Sequence, residues 1–274
     1  MSTLILPRPS TQPDLYWGKY VASLFANGEQ GGWYDPSDLS TLFQDAAGTI
    51  PVTVVGQPVG RILDKSGRGN HATQSTATGR PVLQQDASGR YYLLFDGVDD
   101  GLITPSINLT ATEKMTVFAG VRKLRDSAVG IFLELSANLN TNAGSFLITI
   151  PNGANTKFAA ALSNGDSKTY NSADYTDSAA PLTTVNTVLF DKALTSAEVT
   201  AIRKNGADQS LTRAPNGDTT GNFGNYPLFI GRRSGTQFPF NGRLYGLIVR
   251  GAQTDDLHLT NVERYLANKS GVLL

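Results

Sequence analysis

Retaining glycoside hydrolysis needs two carboxylates about 5–5.5 Å apart across the scissile bond, and on a strand acids two positions apart share a face. The glutamates of this chain are Glu29, Glu113, Glu134, Glu198 and Glu263, and none has a carboxylate two positions away. Asp99-Asp100 and Asp255-Asp256 are adjacent pairs, whose side chains point to opposite faces of an extended chain. His71 and His258 lack metal-ligand spacing, and no H-E-x-x-H, G-x-S-x-G or Walker loop occurs. Cysteine is absent, which removes disulfides, thiolate ligands and cysteine nucleophiles together. The expectation is a protein that binds rather than catalyses.

Two segments carry binding chemistry. In Asp64-Lys-Ser-Gly-Arg-Gly-Asn70, Asp64 and Asn70 could offer hard oxygens to Ca²⁺, with Asp96, Asp99 or Asp100 completing the six to eight ligands that ion takes. The competing reading makes Asp64 and Ser66 turn-formers and gives Gly67 and Gly69 positive φ. In Gly221-Asn-Phe-Gly-Asn-Tyr226, Phe223 and Tyr226 are rings on which a sugar could stack, and nearby Arg232 and Arg233 could pair with acidic sugars or partner carboxylates. Trp33, Tyr34, Tyr91, Tyr92, Phe238 and Phe240 are further candidate rings. For Trp33 and Phe95 we expect a place in the core. The remaining basic residues look scattered and form no stripe.

The 274 residues suit one large β-domain with an appendage, and the 40% apolar content excludes disorder. Lys+Arg and Asp+Glu balance at 23 each, which argues against a nucleic-acid partner. No stretch approaches the ~20 apolar residues of a membrane span, and the N-terminus lacks the basic region of a signal peptide. A soluble, unprocessed chain without membrane insertion is expected.

Positioning elements follow from periodicity. Pro7, Pro9 and Pro13 keep the first residues extended, and Trp17, Tyr20, Val21, Leu24 and Phe25 then mark one face of a short helix before Gly28. Short apolar runs at 90–95, 115–122, 130–135, 145–150, 157–162, 185–190, 227–231 and 243–250, separated by turn residues, predict an all-β sandwich. The capping box Thr195-Ser-Ala-Glu198 permits a helix to Lys204, but Asn205-Gly206 favours strand–turn–strand. A second capping box, Thr260-Asn-Val-Glu263, predicts a terminal helix of about two to three turns ending at Gly271.

Several motifs in order resemble a known family. Trp33-Tyr-Asp-Pro-Ser-Asp-Leu-Ser-Thr41, Leu63 to Gln74, Arg80-Pro81 and Leu93-Leu-Phe-Asp-Gly-Val-Asp-Asp100 resemble the opening of concanavalin A-like, laminin-G-type jelly rolls. Phe229-Ile-Gly231, Phe240 to Val249 and Val262 to Gly271 look like the closing strands and helix. The resemblance implies an antiparallel jelly-roll β-sandwich over 33–274, preceded by an arm and short helix over 1–32 and closed by a C-terminal helix. It also implies that a calcium is often held near such loops. Function is looser, since the superfamily includes lectins, glycosidases, adhesion modules and virion proteins.

The variant with a short Pro-rich arm is similar to tail, fibre or other virion proteins of tailed phages and prophages. That likeness implies a non-catalytic virion component made in the host cytoplasm, presenting a lectin-like surface to host glycan or protein. A purely architectural capsid decoration and a secreted bacterial carbohydrate-binding module are the alternatives. Leu4, Ile5, Leu6, Pro7 and Pro9 form an extended apolar arm suited to docking on other virion proteins or linking copies into a homo-oligomer.

Overall fold

The computed structural model describes residues 13–165, 170–194 and 200–274. The arm residues Leu4, Ile5, Leu6, Pro7 and Pro9 and the capping box Thr195–Glu198 lie outside them. Two antiparallel sheets pack face to face, with strands numbered along the chain. The first runs β15 (Ala207–Asp208), β14 (Thr200–Lys204), β13 (Leu182–Asp191), β8 (Lys114–Lys123), β18 (Asn241–Arg250), β6 (Tyr91–Asp96), β5 (Val82–Gln85). β1 (Gly31–Tyr34) pairs with the far half of β18. The second runs β16 (Thr212–Ala214), β12 (Tyr170–Thr176), β11 (Lys157–Asn164), β10 (Ala143–Thr149), β9 (Ile131–Leu135), β17 (Asn225–Ile230), β7 (Leu102–Asn108), β4 (Ala72–Thr73), β3 (Arg61–Ile62), β2 (Leu42–Phe43). Thus the expected antiparallel jelly-roll sandwich is the fold.

Between the sheets lies the main core, in which Phe95, Phe132 and Phe240 meet with centroids 5.5–6.1 Å apart. A second apolar layer covers the outer face of the first sheet. There α1 (Pro13–Ser23), the turn after it and α2 (Asp256–Ser270) bury Val21, Phe25, Leu259, Val262 and Leu266 against Trp33, Phe118 and Ile248. Gly120 and Gly246 face each other across β8 and β18 beneath α2. A methyl on Gly246 would meet the Leu266 side chain at 2.8 Å, so a glycine there lets the helix settle onto the sheet.

Asn205 (φ 49°) and Gly206 (φ 80°) turn β14 into β15, the strand–turn–strand reading. The capping box at Thr260, however, is not the start of α2. Asp255 caps that helix, its Oδ1 accepting from the His258 amide at 2.9 Å, while Thr260 Oγ1 donates to the Asp256 carbonyl one turn inside. Glu263 faces the sheet instead, where Arg203 and Thr187 both donate to it at 2.8 Å. The helix therefore runs 15 residues, longer than expected.

Among the described residues no helix is long and apolar enough to cross a membrane.

Candidate binding cleft and the expected site residues

Asp64 and Asn70 build the fold, and the Asp64 carboxylate lies outside the cluster that Asp99 and Asp100 form with Asp96. The Asp64 Oδ1 accepts from the amides of Trp33 (2.9 Å) and Ser66 (2.8 Å), and its Oδ2 from Ser66 Oγ (2.8 Å) and the Asn70 amide (3.0 Å). Asn70 Nδ2 donates to the Gly31 carbonyl at 2.6 Å. The carboxylate is thus consumed in tying the 64–70 turn to β1. What converges instead is Asp96, Asp99 and Asp100, with carboxylate oxygens all within 4.8 Å of one another. Those three are hard oxygen donors of the kind calcium takes, fewer than the six to eight it needs.

Phe223 also belongs to the core. It is 2% exposed, set edge-on to Phe146 (6.2 Å) and near Phe190 (6.3 Å), with Lys192 Nζ 5.6 Å over its ring. A ring so enclosed has no face for a sugar. Tyr226 is half-buried, lies over Gly224 and donates its hydroxyl to the Ala143 carbonyl at 3.0 Å. Arg233 is engaged as well: Nη2 donates to Asn140 Oδ1 at 2.7 Å, and Nε lies 3.9 Å from the fully buried Glu134. Burial raises the Glu134 carboxyl above its ordinary range, against the hydrogen bond from Ser136 Oγ at 2.5 Å.

Arg232 is different. Its Nε is buried without a hydrogen-bond partner, and among the described residues no carboxylate forms an ion pair with it. The side chain lies along Gly101, where a methyl would meet Nε at 2.8 Å and Cγ at 3.0 Å. It thereby lines a cleft of about 280 Å³ with Gln74, Ile103, Phe229 and Ser234. Phe229 and Ile103 are cross-strand neighbours on β17 and β7, and Ile103 is 38% exposed, so the cleft has an apolar floor. Gln74 is oriented by Nε2 donating to the Gly101 carbonyl at 2.8 Å. The loop above turns sharply, with positive φ at Ser234 (46°) and Phe238 (50°), and both ends are fixed: Gly231 N donates to the Phe132 carbonyl, and Phe240 N to the Gly231 carbonyl, each at 2.8 Å.

The acidic turn flanks this cleft. Asp100, 5% exposed, has its carboxyl pushed up to about 6 by burial, with the charges of Asp96 and Asp99 adding to the rise; the Asp96 amide and Arg232 oppose it. A raised folded-state value means the native protein holds this proton more tightly than the unfolded chain. The stability so contributed is complete below about pH 4 and lost as pH rises through about 6. Asp100→Asn is therefore expected to raise stability at pH 7 by roughly 2–3 kcal/mol and to leave it nearly unchanged at pH 4. Thermal melts across pH 4–8 check this, and equal effects at both ends would show that the carboxyl is not perturbed.

The apparent scatter of basic residues is corrected on the other side of the molecule. Arg90, Arg122 and Arg243 converge with Tyr92 and Tyr245 on the outer face of the first sheet, around a cavity of about 500 Å³. Arg90-x-Tyr92 and Arg243-x-Tyr245 held the signal, since residues two apart on a strand share a face. What the sequence does not reveal is that β8 lies beside β18 and brings in Arg122.

No family model and no curated protein matches the sequence. Among solved structures the chain is similar to the binding domain of botulinum neurotoxin DC in complex with rat synaptotagmin II, at TM-score 0.54 and 12% identity over 75% of this chain and 49% of that one. It is similar also to a botulinum neurotoxin type C structure described with cell entry dependent on two ganglioside molecules, at TM-score 0.57 and 12% identity over 88% and 52%. A third is the neurotoxin DC binding domain in complex with SialylT, at TM-score 0.54 and 12% identity over 75% and 48%. The chain spans about half the length of these structures, and the likeness is one of fold.

Proposed function

We propose that the chain is a non-catalytic, lectin-like binding module of a tailed-phage particle, in its tail or fibre apparatus, that holds a host-surface saccharide in the cleft at Phe229 and Arg232. One observation carries the reading: a guanidinium with a buried, unpartnered Nε beside an apolar floor, under a loop held in a strained turn. Saccharides present C–H faces and hydroxyls together, and such a cleft offers a surface for each. The sandwich shared with toxin binding domains, described with gangliosides, SialylT and synaptotagmin, supports a recognition role. The phage setting is supported by the sequence resemblance. In this reading residues 1–12 supply the contact to other virion proteins and between copies.

Hydrolysis is the rival, and one observation favours it. Asp100 is raised to about 6 beside Asp96 and Asp99, with oxygens within 4.8 Å, close to the ~5–5.5 Å of a retaining pair. All three acids, however, come from one turn, whereas acid and nucleophile must flank the bond from two sides. The test is an array of bacterial surface polysaccharides, run with an assay for released reducing ends. Wild type is expected to bind a subset and release nothing, and Arg232→Ala to bind at least about tenfold more weakly. Deleting residues 1–12 is expected to leave that binding unchanged and prevent incorporation into particles. Release of reducing ends that Asp100→Asn abolishes would replace binding with catalysis.

A further inference from the structure

We propose a second binding site, on the outer face of the first sheet, that takes the carboxylate of an acidic saccharide between Arg122 and Arg243. These two residues are direct cross-strand partners on β8 and β18. Like charges placed opposite each other in a sheet repel, so a pair of this kind ordinarily has carboxylates nearby. Here it has none. Among the described residues neither guanidinium forms an ion pair with an acid, and the Nε atoms of both are buried without a hydrogen-bond partner. Arg122 Nη1 donates to Thr183 Oγ1 at 3.1 Å, and the Arg243 guanidinium carbon sits over the Tyr92 ring, 4.5 Å from its centroid. Tyr92 in turn packs on Tyr245 at 5.4 Å.

The neighbouring arginine shows what neutralisation looks like in the same groove. Arg90 Nε pairs with Asp86 Oδ2 at 2.8 Å, and its guanidinium lies against Gly271 at the C-cap of α2, where a methyl would meet Nη1 at 2.2 Å. Arg90 is therefore bound in place, and the free charge of the groove belongs to Arg122 and Arg243. The Tyr92 ring beneath it restrains the Arg243 guanidinium, which lowers the ordering cost of a two-pronged bond to a carboxylate.

The rest of the lining selects the kind of molecule that carries the charge. Gln85, Ser88, Thr183 and Ser270 surround the arginines with an amide and hydroxyls, partners for a ring bearing several hydroxyls. At about 500 Å³ the cavity has room for more than an isolated ion. The site stands on a different sheet face from the Arg232 cleft and does not depend on it.

The experiment is calorimetric titration and thermal shift of the full chain with N-acetylneuraminic acid, oligogalacturonate, the neutral oligomer cellohexaose, inorganic phosphate and poly-glutamate. Binding of at least one of the two acidic sugars is expected, weakening as salt is raised. Arg122→Gln/Arg243→Gln should weaken it at least tenfold, and Arg213→Gln, which removes an exposed charge from β16 at the edge of the other sheet, should leave it unchanged. The unliganded double variant is expected to melt at or above the wild-type temperature, because the like-charge pair is gone. Arg243→Lys, which keeps the charge and loses the fork, should fall between, and it carries the test if the double variant does not fold. Absence of binding to both acidic sugars, or equal binding by wild type and the variant, overturns the proposal. Phosphate or poly-glutamate binding as tightly as the sugars overturns the saccharide assignment, and loss of binding in Arg213→Gln overturns the location.

Discussion

Glu263→Ala is expected to cost about 3 kcal/mol and to lower the melting temperature by roughly 6–12 °C. Glu263 lies on α2 but is spent on the sheet: it is buried, Oε1 accepts from Arg203 Nε and Thr187 Oγ1 at 2.8 Å, and Oε2 accepts from Arg203 Nη2 at 3.2 Å. The pairing holds the Arg203 guanidinium well above its ordinary range. Removing the carboxylate leaves Arg203 with Asp208, which is mostly exposed, as its remaining acid. Glu263→Gln keeps the shape and should cost less. A melt in which Glu263→Ala behaves as wild type would show that the pair is no tie between α2 and the sheet.

Phe240→Ala is expected to cost about 3–5 kcal/mol, because the cavity opens between rings that cannot collapse onto it. Phe240 is fully buried against Phe95 and Phe132, and a methyl on Gly242 would meet its ring at 2.2 Å. Its amide also closes the 231–240 loop over the Arg232 cleft. The variant should therefore lose saccharide binding at temperatures where it is still folded, which calorimetry and circular dichroism measured together will show. Retained binding in a folded Phe240→Ala protein would mean that the loop is positioned by other contacts.

The fold was legible where apolar alternation was strong, and lost where chemistry disguised a strand. β7 contains Pro105, which reads as a break. It is accommodated because the register with β17 shifts between Pro227 and Phe229, leaving an extra residue on β7, and Thr104 Oγ1 accepts the Leu228 amide at 2.9 Å. β12 is Tyr-Asn-Ser-Ala-Asp-Tyr-Thr, too polar to stand out.

The family motifs were informative about architecture for a reason visible in the contacts. Asp35 in Trp33-Tyr-Asp-Pro is buried, and burial alone would raise its carboxyl. Lys269 and Lys65 more than offset this and hold it below the ordinary range, while Tyr265 donates at 2.9 Å. Like Asp64, it fastens β1 to its surroundings, so both motifs report the fold. The binding candidates were harder to read because their partners are distant. Arg232 meets Gly101 and Gln74, and Arg122 meets Arg243, only once the strands are paired. Phe223 was misplaced because a ring in a Gly/Asn loop looks exposed, yet the loop folds back with its amide on the Thr112 carbonyl and its ring between Phe146 and Phe190.

The central claim, saccharide recognition at the Phe229–Arg232 cleft, is tested most directly by a crystal structure of the full chain soaked with an oligosaccharide that scores on the polysaccharide array. The account predicts sugar density over Phe229 and Ile103, with a hydroxyl or carboxylate oxygen within hydrogen-bond distance of Arg232, and no such density in Arg232→Ala crystals. A well-ordered sugar bound elsewhere, with the cleft holding only solvent, would contradict it.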